Sequence, residues 1–268
     1  MSDKSRSIVK KAKVNCLKLV KQANSSHIGG AFSIADVLAV LYADVLTFDT
    51  NDILSKNRDR VFYSKGHACS ILYAVLAEVG FIDQEELFTF SQNGSYFTTH
   101  INHHIPGIEL STGSLGHAMS VACGVAYAGK ISQQNWKTYC IVSDGELDEG
   151  SNWEAIMFAA HHQLKNFELI VDYNKIQSFG NVKDVINLEP LKAKFEAFNF
   201  NVCDIDGHDH DAVFNSLSAT FDNGKPLVII ANTIKGKGVD FMEHELKWHY
   251  KSPNETELAA AIHQIEKA

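Results

Sequence analysis

The chain has 268 residues, of which 45% are hydrophobic, so it suits one large domain with a core of its own. Its 24 basic and 32 acidic residues give a formal net charge of −8, which disfavours nucleic acid as a partner. Five cysteines form no CxxC pair and lie in apolar segments, a pattern typical of buried thiols in a reducing compartment.

The N-terminal segment carries basic residues but lacks the apolar run of a signal peptide. The longest run of small apolar residues, 115–128, is too short to span a membrane and contains His117. We therefore expect a cytoplasmic protein that does not enter a membrane.

Apolar spacing and turn residues predict helices alternating with strands along the whole chain. The first half is predicted as helix 7–23, a break at 24–30, helix 34–46, strand 60–64, helix 69–79, helix 83–91, loop 92–112 and helix 115–129. The second half is predicted as strand 138–142, helix 152–163, strand 168–172, loop 178–188, a helix from 191, strand 200–205, helix 209–221, strand 227–231 and helix 255–267. This alternation indicates an α/β fold with a doubly wound, mostly parallel sheet, in a single domain spanning 1–268.

The segment 138–172 is the part of the sequence that indicates chemistry. Its strand, helix and strand form a βαβ unit, whose strands run parallel. Asp144 and Asn174 therefore lie at the same edge of the sheet, each just past the carboxyl end of its strand. If the two strands are neighbours, they lie roughly 5 Å apart, in the crevice where open α/β sheets bind ligands. We expect Trp153, Ile156 and Met157 to share one face of the connecting helix, together with Ala160.

A carboxylate and an amide at this edge favour a hard cation. They cannot complete the octahedral shell of Mg²⁺, which takes its remaining ligands from substrate phosphates, backbone carbonyls and water. Gly145 lets the backbone approach a phosphate, and the following helix points its N-terminus toward the same edge. The segment therefore predicts a diphosphate bridged by Mg²⁺. An EF-hand is excluded, because Gly150 falls at the seventh position from Asp144 and Ala155 occupies the twelfth.

The segment SDGELDEGSNWEA, followed by NKI, resembles the thiamine diphosphate motif in the form found in transketolases. The resemblance implies that Asp144, Asn174 and the main-chain carbonyl of Ile176 hold Mg²⁺, with Ca²⁺ or Mn²⁺ as alternatives, and that Gly145 meets the diphosphate. Ser143 stands where glycine is usual.

Other segments resemble the same family in the same order, over about residues 20–253. They are Ser26–Gly29, with Ile28 where proline is usual, Ser64–His67, His100 with the STGSLG run at 111–116, Lys235–Gly238, and Trp248–His249 with Tyr250 where glycine is common.

The resemblance also implies a role for each matching residue. His67, Lys235 and His249 would contact the diphosphate or the bound intermediate, and His27 and His100 would bind hydroxyls of the donor sugar. The remaining implied site residues are Gly30 at the cofactor, the main chain of Gly113, Ser114 and Leu115 at the aminopyrimidine, and Glu149 in a buried carboxylate network at a dimer interface. A neutral imidazole suits such work, since it can hydrogen-bond a hydroxyl and relay its proton near pH 7.

In the family, a second domain carries the pocket for the pyrimidine ring and the glutamate that assists cofactor deprotonation. This sequence ends near where that domain would begin. We therefore expect the N-terminal subunit of a split transketolase, which transfers a two-carbon ketol unit between sugars or sugar phosphates. It would act with a C-terminal subunit that carries the pyrimidine-binding domain, as an α2β2 assembly.

Two alternatives remain at this stage. One is a subunit of another two-protein thiamine enzyme, of the 2-oxo acid dehydrogenase or decarboxylase type. Such an enzyme would have no reason for the four histidines His27, His67, His100 and His249 together. The other is a cofactor-free scaffold subunit, against which the intact Asp144 argues.

Overall fold

A computed structural model describes residues 3–267 of the chain. Five parallel strands form one sheet, in the spatial order β1-β2-β3-β5-β4. The strands are β1 (Arg60–Tyr63), β2 (Thr138–Ser143), β3 (Phe167–Tyr173), β4 (Asn201–Asp206) and β5 (Leu227–Asn232). All five predicted strands are present, and the predicted parallel α/β fold is confirmed.

Helices cover both faces of this sheet. The α-helices are α1 (Asp3–Gln22), α2 (Ile28–Val40), α3 (Cys69–Glu78), α4 (Gln84–Leu87), α5 (Ala118–Ile131), α6 (Gly150–His161), α7 (Val182–Val185), α8 (Leu191–Ala197), α9 (His210–Leu217) and α10 (Glu255–Lys267). A π-helix (Leu41–Val45) extends α2, and 3₁₀ turns lie at Gly66–Ala68, Gly145–Asp148 and Leu246–His249. The tail helix agrees with its predicted bounds, and most other ends move by one to four residues.

The central strands explain why the sequence contains long apolar runs. All residues of β2 and β3 are buried, because one hydrophobic cluster packs on each face of the sheet. Helices α1, α2 and α3 contribute to the first cluster, and α5, α6 and α8 to the second. This two-sided burial fixes the strands and, with them, the residues at their carboxyl ends.

The register places the ends of three strands side by side. Strand β2 pairs with β3, with Ser143 opposite Asp172, and Asp172 pairs in turn with Ala231 of β5. The predicted adjacency of the strands before Asp144 and Asn174 is thus confirmed.

Helix α2 begins six residues earlier than predicted. Its first turn contains Gly29 and Gly30, which the sequence places in the break. Every residue of α2 is buried, so packing on all sides outweighs the low helix propensity of glycine. His27 precedes the helix in the left-handed region, at φ 71°.

The buried face of α6 also differs from the prediction. Met157 is 51% exposed, whereas the residues that α6 buries are Asn152, Ala155, Ile156 and Ala159. Small residues face the sheet because α5, itself rich in Gly, Ala and Ser, packs close beside α6.

One apolar helical segment, 28–45, is long enough to cross a membrane by length and composition, and 83% of it is buried inside the protein. The prediction missed it by treating 115–128 as the longest apolar run. Core helices meet the same criterion, so this feature carries little weight for a membrane.

Candidate cofactor and substrate site

A cavity of about 510 Å³ opens at the carboxyl edge of the sheet. It gathers residues from segments far apart in sequence, which the strand order brings to one edge. Among its lining residues are twelve of the predicted site residues: His27, Gly30, His67, Gly113, Leu115, Asp144, Gly145, Glu149, Asn174, Ile176, Lys235 and His249. Ser114 is exposed and does not line this cavity, and His100 lines a neighbouring cavity.

The three predicted cation ligands lie at the ends of β2 and β3. The Asp144 carboxylate is buried and accepts hydrogen bonds from the backbone N–H groups of Gly145 (2.7 Å) and Lys175 (2.6 Å). Asn174 Oδ1 accepts from the N–H of Ile176 at 3.1 Å. These contacts fix the carboxylate and the amide on a rigid turn.

Lys235 supplies a positive charge at the same place. Its Nζ donates to the carbonyl of Ile176 at 2.7 Å and lies 3.1 Å from Nδ1 of His249. Burial lowers the pKa of Lys235, and burial together with Asp172 raises the pKa of Asp144. A cation beside Asp144 and an anion beside Lys235 would each favour the charged form of its neighbour, which is the charge pattern of a metal-bound diphosphate.

Two further observations fit such a group. A side chain at Gly30 would project into open space within the cavity, since no atom lies within 4 Å of its Cβ position. At the lip, Nε2 of Gln177 and Oδ1 of Asp148 are buried without a hydrogen-bond partner. Buried polar atoms without partners are uncommon and are satisfied when a polar ligand binds.

Any cation at this site depends on oxygen atoms other than carboxylates. Within residues 3–267, no three His, Cys, Asp or Glu side chains are grouped so that they could hold a metal ion. Asp144 would therefore act with the Asn174 amide, the Ile176 carbonyl and phosphate oxygens, a set that suits Mg²⁺.

Three histidines lie in contact at the other end of the cavity. The ring of His27 is 5.2 Å from that of His67 and 4.8 Å from that of His249. Burial, assisted by His100, lowers the pKa of His27 to about 4. Burial, assisted by Lys235, lowers the pKa of His249 to about 3, and burial and Lys65 hold the pKa of His67 well below its usual value. All three rings are therefore neutral at pH 7.

A second cavity, of about 410 Å³, shares His27 and His67 with the first. His100 lines it from the long loop, and its ring packs against Gly113, where an added Cβ would lie 2.9 Å from His100 Cδ2. The predicted donor-binding histidines thus face one space. His103 and His104 are exposed on the same loop and do not line this cavity.

The sequence did not reveal the buried ion pair beneath the site. Lys65 Nζ bonds the Asp172 carboxylate and donates to the carbonyl of Gly30 at 2.8 Å. Burial alone would raise the pKa of Asp172, but Lys65 and hydroxyl donors from Ser33 and Thr233 hold it below its usual value. Lys65 directly follows a strand, which was a usable signal, whereas Asp172 is hidden in an apolar run.

The buried glutamate of the motif is Glu146. It is fully buried and accepts hydrogen bonds from Ser64 Oγ and from the N–H of Gly116, the latter at 3.0 Å. Glu149 is exposed in the single chain, so its predicted place in a carboxylate network at a dimer interface stays a prediction.

The lowered histidine pKa values predict a pH dependence of stability. The unfolded pKa of histidine is about 6.5, so the unfolded chain binds more protons than the folded chain between about pH 4 and 6.5. The contribution of His27 is therefore present above pH 6.5 and lost as the pH falls toward 4. We expect a His27→Gln variant to lose less stability than wild type between pH 7 and 4.5, measured by urea unfolding. The exposed His117→Gln variant is the control, and identical pH profiles for His27→Gln and wild type would contradict the prediction.

Comparison with known proteins identifies what this chain resembles. The family model described as "Transketolase, thiamine diphosphate binding domain" matches residues 4–265. One of the two subunits named for an apulose-4-phosphate transketolase of Actinobacillus succinogenes is 41% identical over 262 residues, covering 96% of this chain and 95% of the relative. A 6-deoxy-6-sulfo-D-fructose transketolase subunit of a Clostridium species is 38% identical, covering 94% and 91%.

Longer relatives match in one part only. The solved structure of transketolase from Campylobacter jejuni superimposes with a TM-score of 0.88 at 32% identity, covering 98% of this chain but 42% of the other. Human transketolase is 34% identical and is covered over 38% of its length.

Proposed function

The chain belongs to the transketolase family, to its thiamine diphosphate-binding domain, and on that premise we propose that it is the N-terminal subunit of a two-protein transketolase. It would transfer a two-carbon ketol unit from a ketose to an aldose. The relatives that it covers almost completely bear the name of transketolase subunits, and neither alternative considered from the sequence gains support from them.

We further propose the finer features of the assembly. The partner would be a C-terminal subunit with the pyrimidine-binding domain, in an α2β2 heterotetramer, and the complex would use Mg²⁺ in the cytoplasm. The support for a partner is that this chain covers only 42% of a transketolase whose single chain is longer.

The residues at the strand ends would hold the cofactor. Asp144, Asn174 and the Ile176 carbonyl would bind Mg²⁺, while Lys235 and His67 would donate hydrogen bonds to the diphosphate. Gly30 and Gly145 would let the backbone approach it, and the main chain of Gly113, Ser114 and Leu115 would meet the aminopyrimidine. When bound, thiamine diphosphate supplies a nucleophilic carbon and an electron sink.

The histidines would act on the sugar. His27 and His100 face the second cavity and are suited to hydrogen-bond the donor's hydroxyls, while His249 stands between this cavity and Lys235. Neutral rings can accept and return a proton near pH 7, which suits carbonyl chemistry on a polyol.

The observation that carries this proposal is the convergence of one carboxylate, one amide, one main-chain carbonyl and a buried ammonium at one end of the cavity. Its test is Mg²⁺-dependent binding of thiamine diphosphate, followed by quenching of tryptophan fluorescence. Trp248 adjoins His249 and serves as the probe. Binding that does not respond to Mg²⁺, or no binding, would contradict the proposal.

Replacing His100 with alanine is expected to slow cleavage of the donor and to leave cofactor affinity nearly unchanged. A hydrogen bond to a donor hydroxyl that strengthens in the transition state is worth about 1–3 kcal/mol, or roughly ten- to a hundredfold in rate. Single-turnover donor cleavage in the reconstituted complex measures this effect.

His103→Ala is the matched control, because His103 is exposed on the same loop and lies outside the cavity. Its donor cleavage should equal that of wild type. Unchanged cleavage in His100→Ala, or loss of cofactor instead, would show that this loop does not serve the donor.

A further inference from the structure

Tyr250 stands at the boundary between the two cavities. Its phenol hydroxyl donates to the main-chain carbonyl of Ser178 at 2.7 Å, and its ring packs edge-on against His249, with centroids 4.8 Å apart. Ser178 lines the first cavity and Tyr250 lines the second. The side chain thus crosses from the His249 turn to the loop that follows the cation ligands, while 58% of its surface stays exposed.

Both ends of this crossing are anchored. On one side, the carbonyl of His249 accepts from the N–H of His27 at 3.0 Å, and the buried Trp248 donates its indole N–H to the carbonyl of Phe241 at 2.8 Å. On the other side, Ser178 lies in a turn closed by the bond from the N–H of Gln177 to the Gly180 carbonyl, at 2.8 Å. The ring is therefore held across the opening rather than extended freely into solvent.

The second cavity has the chemistry of an uncharged polyol site. Its lining consists of hydroxyl, amide, imidazole, thiol and apolar groups, and within residues 3–267 it includes no Lys, Arg, Asp or Glu. The part of a sugar that lies here would be bound through hydroxyl groups, and a phosphate would have to bind outside this cavity. Neutral sugars are consequently suitable probes of its size.

We propose that Tyr250 is a specificity-determining residue that closes the outer side of this cavity and limits the length of the aldose acceptor. This inference rests on the proposed function. The reason is steric: the ring occupies the outer side of the cavity beyond His27 and His67, and a glycine at this position would leave that side open. The hydroxyl bond to Ser178 holds the ring in place.

The test compares acceptors of increasing length in the reconstituted complex with thiamine diphosphate and Mg²⁺. Unphosphorylated glyceraldehyde, erythrose, ribose and glucose provide three to six carbons. Tyr250→Gly is expected to raise kcat/KM for glucose relative to glyceraldehyde by about tenfold, the scale on which pockets discriminate by size. Tyr250→Phe retains the ring and is expected to keep the wild-type ratio within about twofold.

Phe221→Gly serves as the control for loss of an exposed aromatic ring. Phe221 lies between α9 and β5, at the amino edge of the sheet and thus opposite the cavities. Its ratio should be that of wild type.

Three results would overturn the inference. These are an unchanged ratio in Tyr250→Gly, an equal fall in kcat/KM for every acceptor, as a merely structural role would give, and a Tyr250→Phe ratio that shifts as far as that of Tyr250→Gly. The proposed function fails separately if the wild-type complex transfers no two-carbon unit. In that event, sugar binding detected by tryptophan fluorescence still decides the inference, since Tyr250→Gly should gain affinity for glucose over glyceraldehyde.

Discussion

Replacing Asp144 with alanine is expected to lower the Mg²⁺-dependent affinity for thiamine diphosphate at least about a hundredfold. Asp144 is the one carboxylate in the proposed ligand set, and its loss would leave a strongly hydrated cation with the Asn174 amide and a carbonyl. Removing one partner from a buried charge pair costs about 3–5 kcal/mol, which exceeds a hundredfold in a dissociation constant.

The measurement is a fluorescence titration with the cofactor at saturating Mg²⁺, with circular dichroism to show that the variant is folded. Asp144 also accepts two backbone N–H groups, so Asp144→Asn, which keeps the side chain's shape, provides a second variant. Asp184→Ala removes an exposed carboxylate and serves as the control. An unchanged dissociation constant in both Asp144 variants would show that the cation lies elsewhere.

The sequence was sufficient for the strands and for the residues at their ends. Apolar runs bounded by turns are a direct consequence of burial on both faces, so β2 and β3 and the adjacency of Asp144 and Asn174 could be predicted. The start of α2 could not be predicted, because Gly29 and Gly30 are helical only through packing against the rest of the fold.

The site residues that were missed depend on contacts between distant segments. Lys65 and Asp172 are separated by 107 positions, and nothing local to either indicates that they form an ion pair. The bond from Tyr250 to Ser178 joins residues 72 positions apart in the same way. Glu146 lies three residues before Glu149, within a 3₁₀ turn, and only the geometry of that turn determines which of the two is buried.

Dependence on a partner is the second large effect that we expect. The transketolase resemblance assigns the glutamate that assists cofactor deprotonation to a domain beyond this chain, and a missing general acid or base lowers rates about 10²- to 10⁴-fold. The rim of the first cavity also carries Phe179, 84% exposed, and Ile186, 53% exposed. Exposed apolar side chains beside a cavity are typical of a surface that another protein chain covers.

The most direct test of the account is ketol transfer by the purified chain, alone and after addition of a C-terminal transketolase subunit from the same source, with thiamine diphosphate and Mg²⁺ present. We expect the chain alone to bind the cofactor and to transfer ketol units at less than about a thousandth of the rate of the complex. Addition of the partner should restore the rate and saturate at equal numbers of the two chains. Robust transfer by the chain alone, or none by the complex, would contradict the account.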